Sequence, residues 1–297
     1  MSLEGSFTMK KKKLELTADY SGETLRVRHL GGGVVNVVLN RPDVRNAFNA
    51  QMISEMNDVL SELAATREAS NMRILLLTGE GSVFCAGADL NYMREQAKSN
   101  EAQSLQDARI LATLFYRLAS FPTTVISAVR GAAIGGGFGV VCCSDVVVAE
   151  SAALFATSEV RLGIVPGVIS PYIVRKIGLG RASAAMLSGA RMTAMDAASL
   201  GLVNQVVYIS SDSNAFEVTV AKIINEHLAA APNAVRRTKE LLRRVSPLPD
   251  PGLFEFTSQS IALARCSDEG QTGLGCFFDK KTPPWNHLIE PSLIKGS

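Results

Sequence analysis

The 297-residue chain is 47% hydrophobic and 20% charged, the composition of a folded protein rather than of a disordered or collagen-like one. Its formal net charge of +2 includes the four lysines Lys10 to Lys13, so the rest of the chain carries no basic field that would draw nucleic acid. No apolar run reaches the ~18 residues of a membrane span and no signal-peptide hydrophobic region stands out, so the expectation is a cytoplasmic protein with no membrane partner.

Residues 1–8 read as a leader ahead of a start at Met9, and the lysine run reads as a solvated start without a function of its own. "LRVRHL" from Leu25 and "VVNVVLN" from Val34 read as two strands of a hairpin turned at Gly31 to Gly33, at the edge of a sheet. The segment from Asn49 to Glu68 has apolar residues at helical spacing, with Asn49 as a cap. "RILLLTG" at Arg73 to Gly79 is a strand, and "EGSVFCAGADL" after it is a loop of small residues.

Helical "LQDARILATLFYRLASF" follows from Leu105, then strand-like "TTVISAV", the glycine run "GAAIGGGFGVVCCSD" at Gly131 to Asp145, and the strand "DVVVAE". Strands alternating with helices over this stretch predict βαβ crossovers and a mostly parallel sheet in an α/β core over residues 9–205. From Arg181 only "LVNQVVYI" is strand-like among helices, and residues 206–297 read as a helical C-terminal region, amphipathic and broken near Pro232.

Three segments have the residues for chemistry. The glycine run follows a strand and can open a helix whose free N–H groups would bind an anion or oxyanion, and close packing of that helix on the sheet is an equal alternative. It is not G-x-G-x-x-G, and no phosphate-binding lysine follows. "FCAGADL" at Phe84 to Leu90 is a second small-residue turn, ending at a helix start that Asp89 favours. Two such loops offering N–H donors are what an oxyanion hole needs.

In "FATSEVRLGIVPGVISP", Glu159 stands among apolar residues, where burial would raise its pKa toward proton-transfer use; a surface glutamate paired to Arg161 or Arg175 is the alternative. The histidines, His29, His227 and His287, are scattered and support no nucleophile–base pair. The five cysteines, 85, 142, 143, 266 and 276, lack paired C-x-x-C spacing and read as buried thiols, with no disulfide framework or metal site.

In order and spacing, "LNRPDVRNAFN", "FCAGADL", "GAAIGGGFGVVCCSD" and "SEVRLGIVP" resemble the enoyl-CoA hydratase/isomerase family, the crotonases, and "GLGCFFDKKTPPW" resembles its C-terminal segment. The resemblance implies an α/β crotonase (ClpP-like) fold of stacked ββα turns with a helical trimerisation region, a homotrimer or dimer of trimers. It implies acyl-CoA thioester substrates and no cofactor beyond the coenzyme A of the substrate.

Carried over by motif, the oxyanion hole would use the N–H groups of Ala88 and Gly136, with Glu159 as acid/base. Coenzyme A would lie along Val44, Arg45, Ala47, Ala86 and Asp89, with Phe277 and Lys280 reaching its head from the same or a neighbouring subunit. The family's hydratases use two glutamates; Gly139 stands at the first position. One acid suffices to move a double bond, which leans toward a Δ3,Δ2-enoyl-CoA isomerase. Yet "SEVRLGIVPGVISPYIVRKIG", "FCAGADLNYMRE" and that glycine look most like the branch that hydrates methylglutaconyl-CoA and related branched glutaconyl-CoAs. An acyl group with a second carboxylate would need a cation, with Arg94 the first candidate and Arg161 the second. Gly167 stands where other family members carry an aspartate, which disfavours dehalogenase- and dienoyl-isomerase-type chemistry. Decarboxylation, thioester hydrolysis and a non-catalytic acyl-CoA-binding scaffold stay open as alternatives.

Overall fold

The computed structural model describes residues 16, 18–66, 71–208 and 214–285; the leader, Lys10 to Lys13 and His287 lie outside the described residues. In chain order the first elements are β1 (Tyr20–Ser21), β2 (Leu25–Gly31), β3 (Val34–Leu39), α1 (Ala50–Thr66), β4 (Ile74–Gly79), α2 (Leu90–Gln96), α3 (Glu101–Ala119), β5 (Thr124–Val129), β6 (Ala132–Ile134) and α4 (Gly136–Cys143). Next come β7 (Val146–Glu150), β8 (Leu154–Ala156), a 3-10 turn Glu159–Leu162, α5 (Ser170–Ile177), α6 (Leu179–Ser188), β9 (Met192–Thr193), α7 (Ala194–Ser199) and β10 (Gln205–Val207). Four helices finish the described chain: α8 (Ala215–Leu228), α9 (Pro232–Val245), α10 (Pro251–Cys266) and α11 (Asp268–Phe278).

A seven-stranded sheet runs β1-β2-β3-β4-β5-β7-β10, antiparallel across β1, β2 and β3 and parallel from β3 to β10. The expected hairpin is present, with the short β1 added outside it. Strand β4 shows why the sequence there is uninterrupted hydrocarbon: Leu75 and Leu77 face one apolar cluster and Ile74 and Leu76 the other. Alternate side chains of a strand point to opposite faces, so a strand covered on both sides needs apolar residues at every position.

Helices α1, α3 and α4 supply the first cluster, through residues such as Met52, Phe115 and Phe138. Helix α8 covers the other face with Phe216, Val220 and Ile224. The expected boundary at residue 205 therefore cuts into β10, a strand of the main sheet, and the first C-terminal helix packs on that sheet rather than forming a core of its own.

A second sheet, β6-β8-β9, stands beside the first. It gives the fold its repeat: β5 passes into the main sheet, β6 into the small one, and α4 follows; β7 and β8 repeat the step before the turn Glu159–Leu162. These are the stacked ββα turns that the family resemblance implies. Helix α3 begins four residues before the expected Leu105, because Asn100 and Gln103 form a capping box around its first turn. Among the described residues no helix is long and apolar enough to cross a membrane.

Candidate active site

The loop after β4, the end of β6 and the start of α4 meet around a cavity of about 670 Å³. Its wall includes Ala86 to Ala88, Gly135, Gly136 and Glu159. The loop after β4 is held as a strand between two neighbours. Cys85 N–H donates to Ala132 O at 2.9 Å on one side, and Ala86 N–H donates to Arg45 O at 3.0 Å on the other.

Gly87 breaks the alternation, its φ of +101° being a conformation that glycine adopts without steric cost. Phe48 N–H then donates to Gly87 O at 2.7 Å and Asp89 N–H to Phe48 O at 2.8 Å. The groups on both sides of Ala88 thus face Phe48, which turns the Ala88 N–H the other way. No hydrogen bond within the described residues uses it.

Asp89 fixes the next step of the chain. Its side chain caps α2, accepting from Asn91 N–H at 2.9 Å and Tyr92 N–H at 3.3 Å, and it meets Arg41 at 2.9 Å. Burial alone would raise its pKa, but Arg41 and the two N–H groups hold the carboxyl below its ordinary value.

Each glycine of the run meets its own constraint. Gly135, at φ +52°, turns the chain from β6 into α4. A Cβ on Gly136 would lie 3.0 Å from the Phe48 ring, one on Gly137 2.7 Å from Cys85 Cβ, and one on Gly139 2.5 Å from Ile169 Cγ2. Gly136 owes its missing side chain to Phe48, so close helix packing and an open first turn hold together rather than as alternatives. Its N–H, the first of α4, has no partner among the described residues. The positive end of the helix dipole therefore lies at the same cavity wall.

Glu159 opens the 3-10 turn opposite. Its Oε1 lies 3.5 Å from where a Cβ on Gly135 would stand, and its Oε2 is buried without a partner among the described residues. The residue reaches the cavity and is partly exposed there, yet the carboxyl is enclosed. Burial pushes it from 4.5 up to about 7, and its own N–H offsets this only in part. Glu159 is the sole carboxylate among the described lining residues. Such a group exchanges a proton near neutral pH.

The other sequence candidates divide. Arg45, Ala86 and Phe277 line the cavity. Val44 is exposed outside it, Ala47 is buried behind it with its carbonyl accepting from Arg41, and Asp89 acts as a cap and ion-pair partner outside the lining. Arg94 is corrected: it is outside the lining, its guanidinium lying 5.2 Å from the centre of the Phe278 ring and donating to Asn91. Lys280 is likewise outside the lining, where the next residue, Lys281, takes its place. Arg161, the second candidate cation, does line the cavity.

Sequence reasoning missed Gln96, Arg191 and Arg265 in the wall. Arg265 lies on α10, where helical periodicity marks it only as part of a helix. His29 and His227 bond the backbone oxygens of Leu16 and Ile223, outside the cavity. Cys85 is fully buried and its thiol is pushed up to about 12 by burial, which leaves it inert.

The family model described as Enoyl-CoA hydratase/isomerase matches residues 29–288. The chain belongs to this family. An enoyl-CoA hydratase structure from Shewanella pealeana is 40% identical, covering 88% of this chain and 96% of that one with a TM-score of 0.69. An enoyl-CoA hydratase/isomerase structure from Marinobacter aquaeolei is 32% identical, with coverage of 89% and 99% and a TM-score of 0.70. The 2,3-dehydroadipyl-CoA hydratase of Escherichia coli is 32% identical over 84% of this chain and 94% of its own length. The enoyl-CoA hydratase/isomerase family is enzymatic, and relatives of this member are named as hydratases.

Proposed function

We propose that the chain is an enoyl-CoA hydratase that adds water across the 2,3 double bond of an acyl-CoA thioester, with a branched or glutaconyl-type acyl group as its substrate. Glu159 is the acid/base, and the N–H groups of Ala88 and Gly136 form the oxyanion hole. The reading rests chiefly on one juxtaposition: a carboxyl that burial pushes up to about 7 lines the same cavity as two unbonded N–H groups from separate loops.

In this mechanism the Glu159 carboxylate takes a proton from water as the water oxygen bonds to C3. Charge passes to the thioester oxygen, where each N–H stabilises the enolate by about 3 kcal/mol. Glu159 then returns the proton to C2, completing the net addition of water. A single carboxylate performs both transfers.

Coenzyme A runs past Arg45 and Ala86, with Phe277 near its head, as the family motifs imply. The same reading makes the enzyme a cytoplasmic homotrimer or dimer of trimers. Leu242, Val245 and Phe256, exposed apolar residues of the C-terminal helices, support association. Light scattering gives the assembly size.

Gly139 favours a second reading, Δ3,Δ2-enoyl-CoA isomerisation by Glu159. A hydratase with two carboxylates would need an acid there, and Ile169 and Phe115 occupy the adjoining space. Purified protein mixed with crotonyl-CoA, 3-methylglutaconyl-CoA and a 3-enoyl-CoA separates the two. Loss of enoyl absorbance with either 2-enoyl substrate supports hydration; conversion of the 3-enoyl substrate alone selects the isomerase.

A further inference from the structure

Arg265 has no work in the mechanism above, although it lines the cavity and its side chain is only 13% exposed. Its protein contacts all use one nitrogen. Nη1 donates to Gln96 Oε1 at 3.2 Å, Ser104 Oγ at 3.1 Å and Asp107 Oδ2 at 3.4 Å. Nε and Nη2 make no hydrogen bond with the described residues.

The guanidinium is held from behind. Ser104 is fully buried, and the other oxygen of Asp107 accepts from the Tyr92 hydroxyl. Arg109 on α3 makes a two-point pair with Glu255 on α10, at 2.9 and 2.6 Å, which ties the two helices together. Gln96 spends its oxygen on Arg265, so its amide N–H groups remain as donors. Arg265 and Gln96 thus present unspent donors in the same wall, and a half-paired guanidinium enclosed in protein calls for an acceptor.

Charge and depth indicate which acceptor. The described lining has five cations, Arg45, Arg161, Arg191, Arg265 and Lys281, against the one acid Glu159. Four of these cations are exposed and Arg265 alone is enclosed. Exposed cations suit the solvated phosphates of a bulky thiol carrier. The enclosed arginine is left for a part of the ligand that is itself desolvated.

We propose that Arg265 and Gln96 form a subsite that binds a carboxylate at the far end of the acyl chain, which makes the preferred substrates dicarboxylic acyl-CoA thioesters. This deepens the hydratase reading and rests on it for the orientation of the ligand. A carboxylate matches the guanidinium edge with two parallel N–H bonds, a geometry that an apolar acyl end cannot use.

The test is calorimetric binding of glutaryl-CoA and butyryl-CoA to the full chain, to Arg265→Met and to Gln96→Leu, beside hydration assays of the unmodified enzyme. The unmodified protein should bind glutaryl-CoA about tenfold or more tighter than butyryl-CoA, a preference that Arg265→Met abolishes and Gln96→Leu reduces. Equal binding of the two ligands by the unmodified protein, or a preference that survives Arg265→Met, overturns the subsite. If Arg265→Met does not fold, the unmodified protein and Gln96→Leu decide, and a preference that Gln96→Leu leaves intact counts as refutation. Hydration of crotonyl-CoA without any glutaryl preference leaves the hydratase reading standing and removes this one. The preference without turnover of any enoyl-CoA does the reverse.

Discussion

A Cβ on Gly139 would lie 2.5 Å from Ile169 Cγ2 and 2.8 Å from Phe115 Cε1. Hydrocarbon thus fills the place that the family resemblance gives to the second acid of a two-glutamate hydratase. Gly139→Glu is therefore expected to disturb packing rather than to restore a carboxylate. The loss should be ~1–3 kcal/mol or more in urea unfolding, since an overpacked and buried polar side chain is added. A variant with unchanged stability and a faster hydration rate would show that the neighbours yield the space.

Asp89→Ala tests the scaffold of the oxyanion loop. The change removes the cap of α2 and leaves Arg41 without its carboxylate. A loss of roughly 1–3 kcal/mol is expected, together with a fall in kcat, because Ala88 is the adjacent residue. The folded-state pKa of Asp89 lies below its ordinary 3.8, so its contribution is present above that pH and disappears as pH falls through the lower folded value. Melting curves of the two proteins should therefore converge in acid.

Much of this fold was legible because its signals are local. The unbroken apolar run of β4 marked a strand covered on both faces, and Asn49 marked the start of α1 with a side-chain bond to Met52 N–H at 2.9 Å. The small sheet was not legible, since β6 and β8 are three residues each and too short for any alternation to register. Ala88 and Gly136 were carried over from the family resemblance, whereas Glu159 also stood out as an acid among apolar residues. Arg94 misled because its position after the loop is close in sequence to the site, while α2 turns its guanidinium onto Phe278. Arg265 comes from α10, 161 positions from the Ser104 it bonds, and only tertiary packing brings it to the wall.

Glu159→Gln keeps the shape of the side chain and removes its proton exchange. On the proposed mechanism kcat falls by about 10²–10⁴, while acyl-CoA binding measured by calorimetry stays within a few-fold. In the unmodified enzyme, kcat/KM should rise with pH and level off above about 7, as the carboxylate that accepts the water proton forms. Full activity in the variant, or a profile without this limb, would remove Glu159 from the reaction.

The same carboxyl sets a stability signature independent of turnover. Its pKa is raised from 4.5 to about 7 on folding, so between these values the native state keeps a proton that the unfolded chain has released. Stability from this group is therefore complete below about 4.5, declines as pH rises toward 7, and is constant above. Glu159→Gln cannot ionise, so its stability relative to the unmodified protein should improve across that window. At pH 8 the gain should be ~1–3 kcal/mol, the lower part of the range applying because the residue also reaches cavity water. Urea unfolding of both proteins at pH 5 and pH 8 measures the difference. An equal offset at the two values would mean that the free enzyme does not enclose this carboxylate, and the proton-transfer role assigned to it would lose its physical basis.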